Sequence, residues 1–136
     1  MQTMRILVVD DQPSTTALVS LILTRCGYEV RAENFPARAL AAALAFKPHL
    51  ILLDVDMPGK DGGEVAHDIH AQPQLADVPI IFLTSLVSGA EAGKGPVNRG
   101  GMLFLAKPAD PAVLKAAVEE CLRDRGAHAP RTGMAA

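Results

Sequence analysis

The stretch LILLDVDMPGKDG, residues 50–62, ends an apolar run in two carboxylates placed two apart, Asp54 and Asp56. Three other apolar runs also end in polar groups of particular kinds. RILVVDD ends in Asp10-Asp11, PIIFLTS in Thr84-Ser85, and MLFLAKP in Lys107-Pro108. Brought side by side, these run ends would gather carboxylates, hydroxyls and one ammonium on a single rim. Three carboxylates within a few ångströms repel strongly unless a cation or raised pKa values offset the charge. Hard oxygen donors of this kind suit Mg²⁺, which commonly takes one or two carboxylates, waters and a phosphate. A phosphoryl group held there would accept a hydrogen bond from the Thr84 hydroxyl and a charge-assisted one from Lys107. The chemistry implied is phosphoryl transfer with one carboxylate as nucleophile.

Each feature has a plainer reading when taken alone. Asp10 and Asp11 suit the N-terminus of the helix that follows them, and Thr84-Ser85 suits a turn. A single lysine is usually solvated, and Phe104 is by default a core residue. His67 and His70 lie three apart with no third ligand nearby, so they read as solvated histidines rather than a metal pair. Cys26 and Cys121 read as small half-buried side chains. What favours the site over these readings is that the four polar endings occur in one chain, each at the close of a strand-like run.

The elements that must position them follow from periodicity. RILVVD (5–10), LILLDV (50–55), PIIFLT (79–84) and MLFLAK (102–107) read as strands, and YEVRAE (28–33) as a weaker, alternating one. The first three are apolar almost throughout, as strands covered on both faces are. Helices are expected from Pro13 to about Cys26, with Leu18, Leu21, Ile22 and Arg25 on one stripe, then from Pro36 to Phe46 and from Gly63 to Ala71. A last helix opens at Asp110-Pro111, with Leu114, Val118, Cys121 and Leu122 facing the core. Alternating strands and helices imply a parallel sheet with helices on both faces, and ligands then bind beyond the carboxyl ends of the strands. Between Ser85 and Met102 lie Gly89, Gly93, Gly95, Pro96, Gly100 and Gly101. Interior Gly costs about 1 kcal/mol in a helix and Pro about 3, so the fourth helix should be short or irregular.

These motifs resemble the receiver domain of two-component response regulators, from about Met4 to Arg125. The acid pair stands in VVDDQ, the phosphoacceptor in LLDVDMPGKDG, the hydroxyl in FLTS and the lysine in FLAKP. The resemblance implies a flavodoxin-like doubly wound α/β fold, a five-stranded parallel sheet of order 2-1-3-4-5. It implies Mg²⁺-dependent transfer of phosphate from the phosphohistidine of a sensor histidine kinase, or from a phosphotransfer protein, onto Asp54; Mn²⁺ would substitute for Mg²⁺. Asp10, Asp11 and Asp54 would hold the metal, with the backbone carbonyl of Asp56. Thr84, Ser85 and Lys107 would bind the phosphoryl group. Thr84 and Phe104 would form the switch, and Lys107-Pro108 a cis peptide. LLDVDMPG also resembles the D-x-D motif of haloacid-dehalogenase-like phosphatases, but that family carries it on the first strand, whereas here it closes the third.

Bulk properties bound the remaining classes. The 136 residues suit a receiver domain over 1–125 and a small, polar, flexible tail over 126–136. With 49% hydrophobic and 21% charged residues the chain should be globular. A net charge of −2 and the absence of Trp argue against a nucleic-acid partner, and no apolar run approaches a membrane span. Two cysteines and no signal-peptide layout point to the cytoplasm. The expected output is contact with a downstream protein. A stand-alone switch rather than a conventional enzyme is the leading reading, with a receiver fragment of a longer regulator or hybrid kinase as the alternative.

Overall fold

The computed structural model describes residues 3–57, 61–85, 97–99, 102–107 and 110–135. Strands β1 (Arg5–Val9), β3 (Leu50–Asp54) and β4 (Ile80–Thr84) are buried almost throughout. They alternate with helices α1 (Pro13–Arg25), α2 (Ala39–Phe46) and α3 (Gly62–His70). Strand β2 (Glu29–Glu33) is half exposed, as an edge strand should be. Two further strands, β5 (Val97–Arg99) and β6 (Met102–Ala106), precede the last helix, α4 (Pro111–Ala135).

The sheet order is β2-β1-β3-β4-β6-β5. Its first five members pair in parallel, so the expected doubly wound sheet of order 2-1-3-4-5 is present, with β6 as its fifth strand. Strand alternation divides the core in two. Leu7, Val9, Ile51, Leu53 and Phe82 pack against Ala39, Ala42 and Ala43 of α2 and Val65, Ala66 and Ile69 of α3. Ile6, Val8, Leu50, Leu52, Ile81, Leu83 and Leu105 pack against Val19 and Leu23 of α1 and Leu114 and Val118 of α4.

Val97–Arg99 form a short strand antiparallel to β6, with Arg99 opposite Met102; the expected short or irregular fourth helix falls on residues 86–96, outside the described residues. Val97 and the open edge of β6 favour this strand. The two residues between the paired ends are Gly100-Gly101, a dipeptide typical of two-residue hairpin loops. The remainder of the Gly-rich segment lies outside the described residues. One expectation, the packed face of the first helix, is corrected: on α1 the buried face is Thr16, Val19 and Leu23, and Leu18 and Leu21 are exposed. Apolar residues occur on both sides of this helix, so periodicity alone did not select the buried one. The backbone of 126–135 continues α4 as helix. Extending a nucleated helix is far cheaper than starting one. Pro130 has no N–H to donate, so the backbone ladder of the helix lacks one bond there. We therefore expect amide protons beyond Gly126 to exchange well ahead of those of Leu114–Leu122; equal protection in the two segments would contradict this.

Candidate functional site

Register brings the acids together. Strand β1 pairs with β3 as Val9↔Leu53, so the next residues along, Asp10 and Asp54, come abreast as the strands end. Strand alternation puts both on the α1/α4 face, continuing Ile6-Val8 and Leu50-Leu52. Leu103 and Leu105 of β6 lie on the same face, and Lys107 follows at the same spacing. Its ammonium nitrogen reaches Asp10 Oδ2 at 2.8 Å and Asp54 Oδ1 at 3.0 Å. Both carboxylates are essentially inaccessible, at 0% and 1% exposure, so these ion pairs are not surface contacts that water would screen.

The remaining polar atoms of the site are disposed unevenly. Asp10 Oδ1 accepts from the Gln12 N–H at 2.9 Å, and Asp54 Oδ1 accepts from the Asp56 N–H at 3.1 Å. Among the described residues, Asp10 Oδ2 has no hydrogen bond beyond its ion contact with Lys107, and Asp54 Oδ2, also buried, has no hydrogen-bond partner. Asp10, Asp11 and Asp54 present carboxylate oxygens all within 4.8 Å of one another. Burial pushes the Asp54 carboxyl above its ordinary range, against the lowering effect of Lys107 and the Asp56 amide. Burial alone would lower Lys107, but its bonds to Asp10 and Asp54 outweigh that and hold it above the usual lysine value.

Three carboxylates set against one ammonium leave two negative charges uncompensated, the charge of one divalent cation. With an unpartnered buried oxygen on Asp54 and an all-oxygen donor set, the residues fit Mg²⁺ by charge, donor type and spacing. Among the described residues, Asp10, Asp11 and Asp54 form the metal-competent group; His67 and His70 do not join one. His70 instead places Nε2 2.9 Å from the Val78 carbonyl oxygen.

The other expected residues are placed as follows. Thr84 is buried at the end of β4, and its carbonyl accepts from the Lys107 N–H at 3.0 Å. Ser85, next to it, is exposed. The Asp56 side chain is exposed, and its contact with the site runs through its backbone amide. Phe104 is half-buried on the α2/α3 face and stacks on Phe82, with ring centroids 5.2 Å apart. Pro108, and with it the expected Lys107-Pro108 cis peptide, lies outside the described residues.

Gly62 was missed by sequence reasoning. A Cβ there would lie 2.5 Å from the Asp54 carbonyl oxygen and 2.9 Å from Val55 Cα, while its own N–H donates to Val55 O at 3.0 Å. The start of α3, capped by Asp61 accepting from the Glu64 N–H, therefore presses directly on the backbone of Asp54. Gly62→Ala is expected to cost about 1–3 kcal/mol in chemical denaturation, because the clash is with rigid backbone. An unchanged denaturation midpoint would show that the β3–α3 connection yields freely.

A doubly wound sheet with an acidic pocket, a lysine and a buried threonine at the carboxyl ends of its strands is suited to holding a metal ion and a phosphoryl group. Comparison with known proteins gives the family. The sequence model of the response regulator receiver domain matches residues 6–119, and the chain belongs to that family. It is 34% identical over 119 residues to the DNA-binding dual master transcriptional regulator RpaA of Synechocystis, covering 88% of this chain and 49% of that protein. It is 37% identical over 119 residues to the response regulator PleD of Caulobacter vibrioides, covering 88% and 26%. The chain thus spans half or less of the length of these curated relatives. In structure it is similar to the Vibrio cholerae chemotaxis protein CheY4, with TM-score 0.76 and 30% identity over 88% of this chain and 99% of that one. A CheY-like receiver from Methanospirillum hungatei, at 24% identity, shares the fold with TM-score 0.78. Among the described residues, no helix is long and apolar enough to cross a membrane.

Proposed function

We propose that this receiver takes a phosphoryl group from the phosphohistidine of a sensor kinase or phosphotransfer protein onto Asp54, and that the acyl phosphate switches contact with a downstream protein. The observation that carries the reading is the Lys107 ammonium bridging two buried carboxylates, one of which keeps an unpartnered oxygen. In the transfer, an Asp54 oxygen forms a bond to phosphorus, the P–N bond to the donor imidazole breaks, and its electron pair stays on the nitrogen. Lys107 is already within reach to shift from Asp54 Oδ1 to the incoming phosphoryl oxygens, and the Thr84 hydroxyl, with Ser85 beside it, supplies a second donor. Asp10, Asp11, Asp54 and the Asp56 carbonyl would hold Mg²⁺, with Mn²⁺ as a substitute; when bound, the ion offsets the charge on the phosphoryl oxygens.

The acyl phosphate carries nearly two negative charges where the carboxylate carried one, and Lys107 changes partners. Thr84 and Phe104 are the elements proposed to respond, Phe104 by moving relative to Phe82. The lengths of the relatives favour a second reading, in which this receiver works joined to an effector segment. The mass of the endogenous protein, read by immunoblot, separates the two.

The test is incubation with Mg²⁺ and a small phosphodonor such as acetyl phosphate, followed by intact mass and hydroxylamine treatment. One phosphate per chain, removed by hydroxylamine, is expected. A phosphate that resists hydroxylamine would sink the acyl-phosphate assignment.

A further inference from the structure

Asp10 and Asp11 are joined by a single peptide plane just past the last residue of β1, where the strand ladder no longer holds the chain. The main chain there is held from outside. The Asp10 N–H donates to the Glu33 carbonyl at 3.1 Å, and the Asp10 carbonyl accepts from Asn34 Nδ2 at 2.8 Å. The same amide nitrogen lies 3.0 Å from Thr16 Oγ1, on α1. Thr16 is 3% exposed, and its hydroxyl donates to the Pro13 carbonyl at 3.1 Å. That proton is committed, so Thr16 Oγ1 accepts, and the two Asn34 protons are divided between Thr16 and Asp10.

A peptide unit is planar, so fixing the Asp10 carbonyl also fixes the direction in which the chain leaves toward Asp11. Asp11 is half-buried and belongs to the trio whose carboxylates converge within 4.8 Å. Left to themselves, like charges at that distance would rotate the loop apart. We propose that Asn34 is a positioning residue for divalent-cation binding. Through one amide it ties the Asp10–Asp11 peptide to α1 and holds the acidic trio converged before the ion arrives. The inference rests on the metal role proposed above for those acids.

Charge and position make opposite predictions for one substitution, and this supplies the test. Asn34→Asp is nearly isosteric but has no amide protons to donate, and it adds a carboxylate near the pocket. If only local charge mattered, it would bind a cation more tightly than the parent. If Asn34 acts by position, both Asn34→Asp and Asn34→Ala bind more weakly, by about tenfold or more, the scale for outer partners of metal ligands. The probe is Mn²⁺, titrated by electron paramagnetic resonance, with circular dichroism confirming the fold of each variant. Thr16→Val cuts the link to α1 while leaving the Asn34–Asp10 bond, and so separates the two halves of the tie. It is expected to lose stability and to weaken Mn²⁺ binding by less than either Asn34 variant. Parental affinity in both Asn34 variants, or tighter binding by Asn34→Asp, overturns the positioning role alone. A parent that binds no Mn²⁺ overturns the metal reading, and the inference with it.

Discussion

Asp54→Asn is expected to acquire no hydroxylamine-labile phosphate and, at neutral pH, to melt at a higher temperature than the parent. The first outcome follows from losing the nucleophile: an amide oxygen does not form the acyl phosphate, and the neighbouring carboxylates of Asp10 and Asp11 are not placed at the end of β3 to replace it. The second follows from burial. The carboxylate is 1% exposed, and burial raises its pKa above the ordinary aspartate range despite Lys107 and the Asp56 amide. A carboxyl whose folded-state pKa is raised contributes stability below its unfolded value. That contribution is lost as pH rises through the folded value. At pH 7 the parent therefore carries the cost of a buried charge that Asn does not. A gain of about 2–5 °C at pH 7, the scale of ~1 kcal/mol in a domain of this size, should shrink toward pH 4. Thermal melts across that range check it. A variant less stable than the parent at pH 7 would mean that the ion pair with Lys107 outweighs desolvation.

The opposite sign is expected for Lys107→Met. Removing the ammonium leaves the carboxylates of Asp10 and Asp54 facing each other in a buried site with no cation. Breaking a buried pair by deleting one partner costs about 3–5 kcal/mol, because a charge stays behind uncompensated. The melting temperature should fall by on the order of 10 °C at pH 7 without metal. Acidification should narrow the gap, since protonating one carboxyl removes the repulsion. Millimolar Mg²⁺ should narrow it too, because a ligand bound only by the folded state stabilises it by mass action. Mg²⁺ is thus expected to raise the melting temperature of the variant more than that of the parent. Phosphorylation by acetyl phosphate should slow by about 10²-fold, the scale for losing one preorganised donor to a developing anion. A variant as stable as the parent in metal-free buffer would show that the pocket carries far less uncompensated charge than its geometry implies.

The family relation changes what these two substitutions mean for signalling. Asp54→Asn would hold the receiver in its unphosphorylated form with a firmer fold. Lys107→Met would weaken the fold and the chemistry together, so its signalling defect is interpretable only at Mg²⁺ concentrations that restore folding. The two variants in parallel separate loss of phosphate from loss of structure.

How far this molecule was legible before its structure differs from residue to residue. Asp10, Asp11, Asp54, Thr84 and Lys107 stand out in the sequence because an apolar strand that closes on a charged or hydroxyl side chain is a local pattern, visible within six residues. The parallel sheet was legible for the same reason, since runs covered on both faces need no polar alternation. Asp56 was legible as a position and obscure as a role: its carboxylate is exposed, and only the fold shows that its amide meets Asp54. The buried face of α1 was not legible, because Leu18 and Leu21 offer as good a stripe as Val19 and Leu23 until the sheet decides which side it covers. The strand Val97–Arg99 had a local signal in Gly100-Gly101, but a three-residue strand exists only because the edge of β6 pairs with it. Gly62 and Asn34 depended wholly on tertiary structure. One is required by the approach of the α3 backbone to Asp54, the other by two hydrogen bonds across chain separations of 24 and 18 residues. Sequence by itself determined which groups stand at the strand ends, because strand propensity and turn chemistry act over a few neighbours. Only the tertiary structure decided how those groups are spaced, charged and held, because register, burial and loop packing join residues that local rules never bring together.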